Sequence, residues 1–233
     1  MSDAKPTLAV IGGTGALGSG LALRWARAGY PVIIGSRAQA SAERAVDRLS
    51  GLLPEARFEG MENAPAAAAA DIVVLTVPYE NHRPMLQAIR DGVQGKIMVD
   101  VTVPLQPPKV RTVQLPPEGS AAKAAQLFLG EGVQVVSAFQ NVAAAHLQEL
   151  DHEIDCDVLV CGNEPAARDA VVALAEAAGM RAWHAGRIDN SAVAEALTSV
   201  LIFMNGRYKI DGAGIRITGK PGSAKPAEQA PPG

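Results

Sequence analysis

The chain has 233 residues, 48% of them hydrophobic and 19% charged, with a formal net charge of -3. That length buries one substantial core and a small dependent unit. Without a Lys/Arg-rich run or a basic balance, nucleic acid is not expected as a partner. No apolar stretch reaches the roughly 18 residues of a membrane span, and the opening MSDAKPTLAVIGG lacks the order of a signal peptide. A cytoplasmic protein with no membrane partner is expected, its two cysteines (Cys156, Cys161) being buried reduced thiols, too wrongly spaced for a C-x-x-C element.

Strands and helices alternate from the start. TLAVIGG (7–13) is a short apolar run, ALGSGLALRWARAGY after it has helical spacing, YPVIIGS is again strand-like and QASAERAVDRLSGLL helical. Such β-α-β-α order implies a parallel sheet with right-handed crossovers. MENAPAAAAA is expected as a helix, DIVVLTVP as a buried strand, HRPMLQAIRDGV as a helix, KIMVDVTVP as a strand, SAAKAAQLFLG as a helix and VQVVSAF as a strand. The series amounts to five strands and five helices by residue 139, a doubly wound α/β sheet of the Rossmann type.

Between Pro104 and Gly119 the rhythm breaks into five prolines without period. This loop follows the carboxyl end of a strand, outside which ligands of open α/β sheets bind, so it is a candidate substrate wall. After NVAAAHLQELDHEID, a helix and an acidic connection, a smaller β-α-β-α pattern follows: CDVLVCG, EPAARDAVVALAEAAG, MRAWHAG and NSAVAEALTSVLIFMNGR, with AGIRITG as a closing strand. The helix at 191–205 is apolar enough to require cover nearly all round, as at a domain or subunit interface. The expected units are a dinucleotide-binding domain (1–145), a smaller C-terminal α/β domain (146–219) carrying the acceptor site and dimer contact, and a Pro/Ala/Gly-rich mobile tail (220–233).

Within VIGGTGALGSG, Gly13, Gly15 and Gly18 fit G-x-G-x-x-G between strand and helix. Gly13 is expected to permit the tight turn, Gly15 to let backbone N–H groups approach a pyrophosphate, and Gly18 to allow close helix–strand packing. Ser36 stands 18 positions beyond Gly18, close to the roughly 20 at which NAD enzymes carry a ribose-binding carboxylate. A carboxylate would repel a 2'-phosphate, whereas Arg37 can pair with one and Ser36 can donate a further hydrogen bond. The expected ligand is NADP, with Arg44 as a second cation for its phosphate.

None of the three tyrosines has a lysine four residues later, which removes the Tyr/Lys acid pair of short-chain dehydrogenases. The four histidines form no i, i+4 pair for zinc, and QELDHEIDCD lacks the oxygen spacing of a calcium loop, so no metal is expected. His82, at a strand end, is a weak candidate acid/base group, weighed against an ordinary surface or loop position. No catalytic side chain is assigned beyond it.

LAVIGGTGALGSGLALRWARAGYPVIIGSR, ADIVVLTVP, SAAKAAQLFL, VVSAF and DVLVCGN together resemble NADPH-dependent reductases of the 8-hydroxy-5-deazaflavin coenzyme F420, over nearly all of residues 7 to 217. The resemblance extends to the cytosolic domains of membrane ferric reductases, which use flavin. It implies a small homodimer that passes hydride between NADP and the deazaflavin, its small-molecule substrate. NADP would lie on Gly13, Thr14, Gly15, Ala16, Leu17, Gly18, Ser36 and Arg37, with Thr76, Val77 and Pro78 alongside its middle. Hydride transfer needs two rings held face to face, about 3 to 3.5 Å apart, and no general acid. By position, Thr102, Ser137 or Asn141 would meet charge developing on the deazaflavin, and Lys109, Arg111, Arg207 or Lys209 its acidic tail. The chain departs from the family at Gln140, where the pattern carries a histidine, and in the loop from Gln106 to Pro117. Two other classes stay open: a flavin or small-carbonyl/imine reductase, with Lys123 or His82 as proton donor, and a non-catalytic NADP sensor.

Overall fold

The computed structural model describes residues 4–219; the expected mobile tail lies outside them. Six strands and five helices alternate up to residue 137: β1 (Leu8–Ile11), α1 (Ala16–Arg27), β2 (Val32–Ser36), α2 (Gln39–Leu52), β3 (Phe58–Glu62), α3 (Asn63–Ala69), β4 (Ile72–Leu75), α4 (Tyr79–Ile89), β5 (Ile97–Asp100), α5 (Ala121–Leu129) and β6 (Gln134–Ser137). There follow α6 (Ala144–Gln148), β7 (Val158–Gly162), α7 (Pro165–Ala177), β8 (Ala182–His184), a 3-10 turn (Ile188–Asn190) and α8 (Ser191–Tyr208). All eight strands form one sheet in the order β3-β2-β1-β4-β5-β6-β7-β8. Every pairing is parallel except β6 with β7.

The central strands are unbroken apolar runs because both faces of the sheet are covered. Along β1, Leu8 and Val10 join the core under α1, α2 and α7, while Ala9 and Ile11 join the core under α3, α4 and α5. Trp25 of α1 is fully buried, donates its indole N–H to the Leu174 carbonyl at 2.8 Å and meets the Phe139 ring edge-on at 5.8 Å. Phe139 takes a φ of 71°, uncommon for a bulky residue, in the turn that leaves β6.

Arg24 staples the C-terminal third to this core. Its guanidinium donates to five carbonyls, those of His146, Leu147, Glu149, His152 and Ala178, at 2.8–3.1 Å. The α5–α8 packing is fixed similarly. Glu195 of α8 accepts the Ala121 and Ala122 N–H groups at 2.6 and 3.0 Å, and Ser120 accepts that of Lys123, so the open donors at the start of α5 are satisfied.

Several expectations are corrected. β3 has no apolar run to announce it, since it is a half-exposed edge strand; consequently the helix expected from Met61 starts at Asn63. α4 begins at Tyr79, ahead of His82, directly after Pro78. AGIRITG forms no strand: the Ile215 carbonyl accepts the Asp157 N–H, but the Ile217 N–H goes to the Asp157 carboxylate, which breaks a ladder. Within the single chain α8 leaves Val193, Val200 and Phe203 exposed, which neither meets nor overturns the cover expected of it at a domain or subunit interface. Cys156 and Cys161 are free and buried, as expected, and burial pushes both thiols up, Cys161 to about 11. No helix among the described residues is long and apolar enough to cross a membrane.

Candidate active site

Strand order reverses between β1 and β4, where two crossovers leave in opposite directions and open a crevice at the carboxyl ends. A cleft of about 1110 Å³ lies there. One wall is the β1–α1 turn, which brings Gly12, Thr14, Gly15, Ala16 and Leu17 to the surface of the cleft. The glycines divide the work differently from expectation. The positive φ of the turn, 76°, falls at Gly12, and a side chain there would strike Val77 of the β4 loop. Gly13 sits too close to the Val10 carbonyl to carry a Cβ, and at Gly18 a Cβ would stand 2.5 Å from the Thr76 hydroxyl, so both glycines pack the turn from behind and do not line the cleft. At Gly15 the nearest atom to a Cβ is 3.7 Å away; its bare face looks into the cleft. Gly15 is also the N-cap of α1, brings no capping side chain, and the first turn holds no acidic residue. The helix therefore presents its amino end to an anion.

Ser36 ends β2, nearly buried, and the exposed Arg37 follows; both line the same end of the cleft. Arg37 engages no carboxylate within ion-pair range among the described residues. Glu43 is bound by Gln39, and Arg44, expected as a second cation for the phosphate, is held by Ser41 away from the cleft lining. Asn63 was not anticipated. It stands at the start of α3, accepts the Gly12 N–H at 3.3 Å and lines the cleft; an Asn opening an alanine-rich helix was the available signal.

The middle of the cleft is the β4–α4 loop. Thr76 donates its hydroxyl and its N–H to the Ile11 carbonyl, both at 2.9 Å, which fixes this loop to β1, and Val77 and Pro78 continue the wall. Tyr79, Met85, Val101, Thr102 and Val103 extend the lining, and the proline-rich loop contributes Leu105, Gln106, Pro107 and Val110. Nine residues picked from sequence as cofactor contacts, Thr14, Gly15, Ala16, Leu17, Ser36, Arg37, Thr76, Val77 and Pro78, are thus brought to one surface.

His82 is not on a surface or in a loop. It is 4% exposed on α4, and its Nε2 lies 2.7 Å from Asp100 Oδ2 at the end of β5. Burial, the largest single influence, lowers its pKa, but the charge and hydrogen bond of Asp100 outweigh it and the net shift is upward. His82 borders a separate cavity of about 370 Å³ with Tyr79, Arg83 and Glu118, and does not line the main cleft. Lys123 pairs with Asp189 at 2.6 Å, and Lys109, Arg111, Arg207 and Lys209 also lie outside the cleft lining. Among the described residues, no three His, Cys, Asp or Glu side chains group to hold a metal.

The sequence model of a family described as NADP oxidoreductase, coenzyme F420-dependent, matches residues 7–104, which bring the whole lining of the cleft except Leu105, Gln106, Pro107 and Val110 of the proline-rich loop. The chain is 42% identical over 219 residues to the F420-dependent NADP reductase of Methanocaldococcus jannaschii, covering 91% of this chain and 97% of that protein. It is 43% identical over 222 residues to the enzyme of the same name from Methanothermobacter thermautotrophicus, covering 92% and 95%. Among solved structures, one of a putative F420-dependent NADP reductase from Arthrobacter superposes with a TM-score of 0.78 at 26% identity, over 91% of this chain and 99% of that one. By sequence over almost its full length, the chain belongs to the F420-dependent NADP reductase family.

Proposed function

We propose that this protein transfers a hydride between NADP(H) and the deazaflavin coenzyme F420, its small-molecule substrate. The carrying observation is the polarity of one continuous cleft: the Arg37 guanidinium at one end, the uncapped amino end of α1 beside it, and an apolar slot of Val77, Pro78, Met85, Val101 and Val103 running on from the middle. Arg37 and Ser36 would take the 2'-phosphate, and the N–H groups at the start of α1 the pyrophosphate. Gly13 and Gly18 act from behind by letting the turn and the start of α1 sit close to Val10 of β1 and to Thr76. The slot would accept flat rings. The bound coenzymes supply the hydride donor and acceptor; the chain's contribution is to align them and exclude water. No side chain is assigned acid/base catalysis.

Residues 1–145 form the cofactor-binding part in this reading, and 146–219 support the acceptor side and the contact of a homodimer. The exposed Val193, Val200 and Phe203 of α8 favour a second copy there. Two buried free thiols fit the reducing cytoplasm. The direct test follows NADPH absorbance with oxidised F420, with FMN and with no acceptor. Rapid loss with F420 alone supports the proposal. Loss with FMN alone, or none with either, overturns it.

A further inference from the structure

Behind the cleft floor the fold buries more polar chemistry than ring stacking requires. Asp100 is fully buried at the end of β5. One carboxylate oxygen is bound to His82, the other accepts the Thr102 N–H at 3.0 Å, and the Asp100 carbonyl accepts the Gln140 side chain at 2.8 Å. These bonds fix the backbone that carries Thr102. Thr102 is 2% exposed, lines the cleft, and its hydroxyl oxygen has no hydrogen-bond partner. Leaving a buried hydroxyl unpaired costs roughly 1–3 kcal/mol, and valine has nearly its shape, so the hydroxyl points to a ligand group. Ser137 and Asn141 lie outside the cleft lining: Ser137 accepts from Gln140, and the Asn141 amide donates to Cys156 and to the Asp157 carbonyl. Gln140 Oε1 and Asn141 Oδ1 are also unpartnered, yet neither residue reaches the cleft.

We propose that the Thr102 hydroxyl hydrogen-bonds the carboxamide of the NADP(H) nicotinamide, with Asp100 and His82 as positioning residues. This rests on the dinucleotide reading of the cleft above. Arg37 draws the adenosine half toward β2, so the other half must run from the β1–α1 turn across β4 to β5. Two strand spacings, about 10 Å, separate β1 from β5, the span of a ribose and a pyridine ring. A hydroxyl both donates and accepts, matching the carbonyl and the NH2 of a carboxamide. Fixing that group sets the plane of the ring and the face that offers its hydride.

The test compares binding of NADP+ with that of 2',5'-ADP, which lacks the nicotinamide, in wild type and in Thr102→Val. The expected result is a fall of roughly 5-fold or more in NADP+ affinity, with 2',5'-ADP unchanged and Thr102→Ser restoring most of the loss. Thr102→Ala must reproduce the valine result. Asp100→Asn and His82→Gln should weaken NADP+ in the wild-type background and add little to Thr102→Val, as residues acting through one group do. Equal losses for both ligands would assign Thr102 to the fold, and unchanged NADP+ affinity with a raised KM for F420 would assign the hydroxyl to the acceptor; either overturns the proposal. Because binding is read without an acceptor, failure of the F420 assay leaves this test standing.

Discussion

Glu195 ties the stability of this fold to pH in a way that can be worked from its surroundings. It is 1% exposed and caps α5 through two backbone N–H groups. Burial pushes its pKa up, the two N–H groups pull it down, the Asp100 charge raises it and His82 lowers it, with a net rise from 4.5 to about 8. A carboxyl whose folded pKa exceeds its unfolded value holds its proton more tightly when folded. Its stabilising contribution is therefore complete below about pH 4.5 and lost as pH climbs to about 8. Midway through that window the folded state holds one proton that the unfolded chain has released, so stability falls by about 1.4 kcal/mol per pH unit, on the order of 5 kcal/mol across the window. Glu195→Gln removes the titration. Its stability should drop by about 1 kcal/mol at the acid end, where an amide replaces a hydrogen-bonding carboxyl, while its pH slope flattens. Urea unfolding of both proteins at several pH values between those limits measures the difference. His82 titrates in both proteins, and because Glu195 helps to raise its pKa, Glu195→Gln also removes that smaller influence. Parallel pH curves for wild type and Glu195→Gln would refute the reasoning.

The cleft and the core respond to different substitutions. Arg37→Ala should weaken NADP+ about 10- to 100-fold, the worth of a charge-assisted hydrogen bond, and leave the weak binding of NAD+ nearly unchanged; isothermal titration with both dinucleotides checks it. Gly15→Ala makes only an ordinary van der Waals contact with the Gly12 carbonyl, at 3.7 Å, and should keep the melting temperature while losing NADP+ affinity. Gly18→Ala would press on the Thr76 hydroxyl and on Gly13 Cα at 2.9 Å, and should lower the melting temperature first; equal melting temperatures for the two variants would contradict this division. Arg24→Met strands five carbonyls that the guanidinium now serves and should cost at least about 3 kcal/mol, visible as a melting shift of roughly 6–12 °C, with NADP+ affinity retained by whatever fraction stays folded.

The sequence by itself determined the first four elements, the glycine turn and the place of Arg37 just beyond β2. A parallel strand buried on both faces must be apolar throughout, as in LAVI and VIIGS, and the turn between β1 and α1 admits only glycine where backbone or Val77 stands too close. The replacement of an expected carboxylate by Ser36 and Arg37 is likewise local, because strand length fixes where β2 ends. Of two adjacent glycines it is Gly12 that takes the positive φ and lies against Val77, a residue far along the chain. β3 stayed hidden because an edge strand need not be apolar, and the neighbouring Asn63 was missed with it. His82 reads in sequence like any histidine near a strand end. Only the parallel pairing of β5 beside β4, with α4 folded over both, puts Asp100 within 2.7 Å of it and leaves the buried hydroxyl of Thr102, a cleft-lining residue, without a partner. Burial patterns repeat with the geometry of each element and so are written along the chain, whereas a polar side chain's partner is chosen by which strands and helices come together, and that choice exists only in the folded protein.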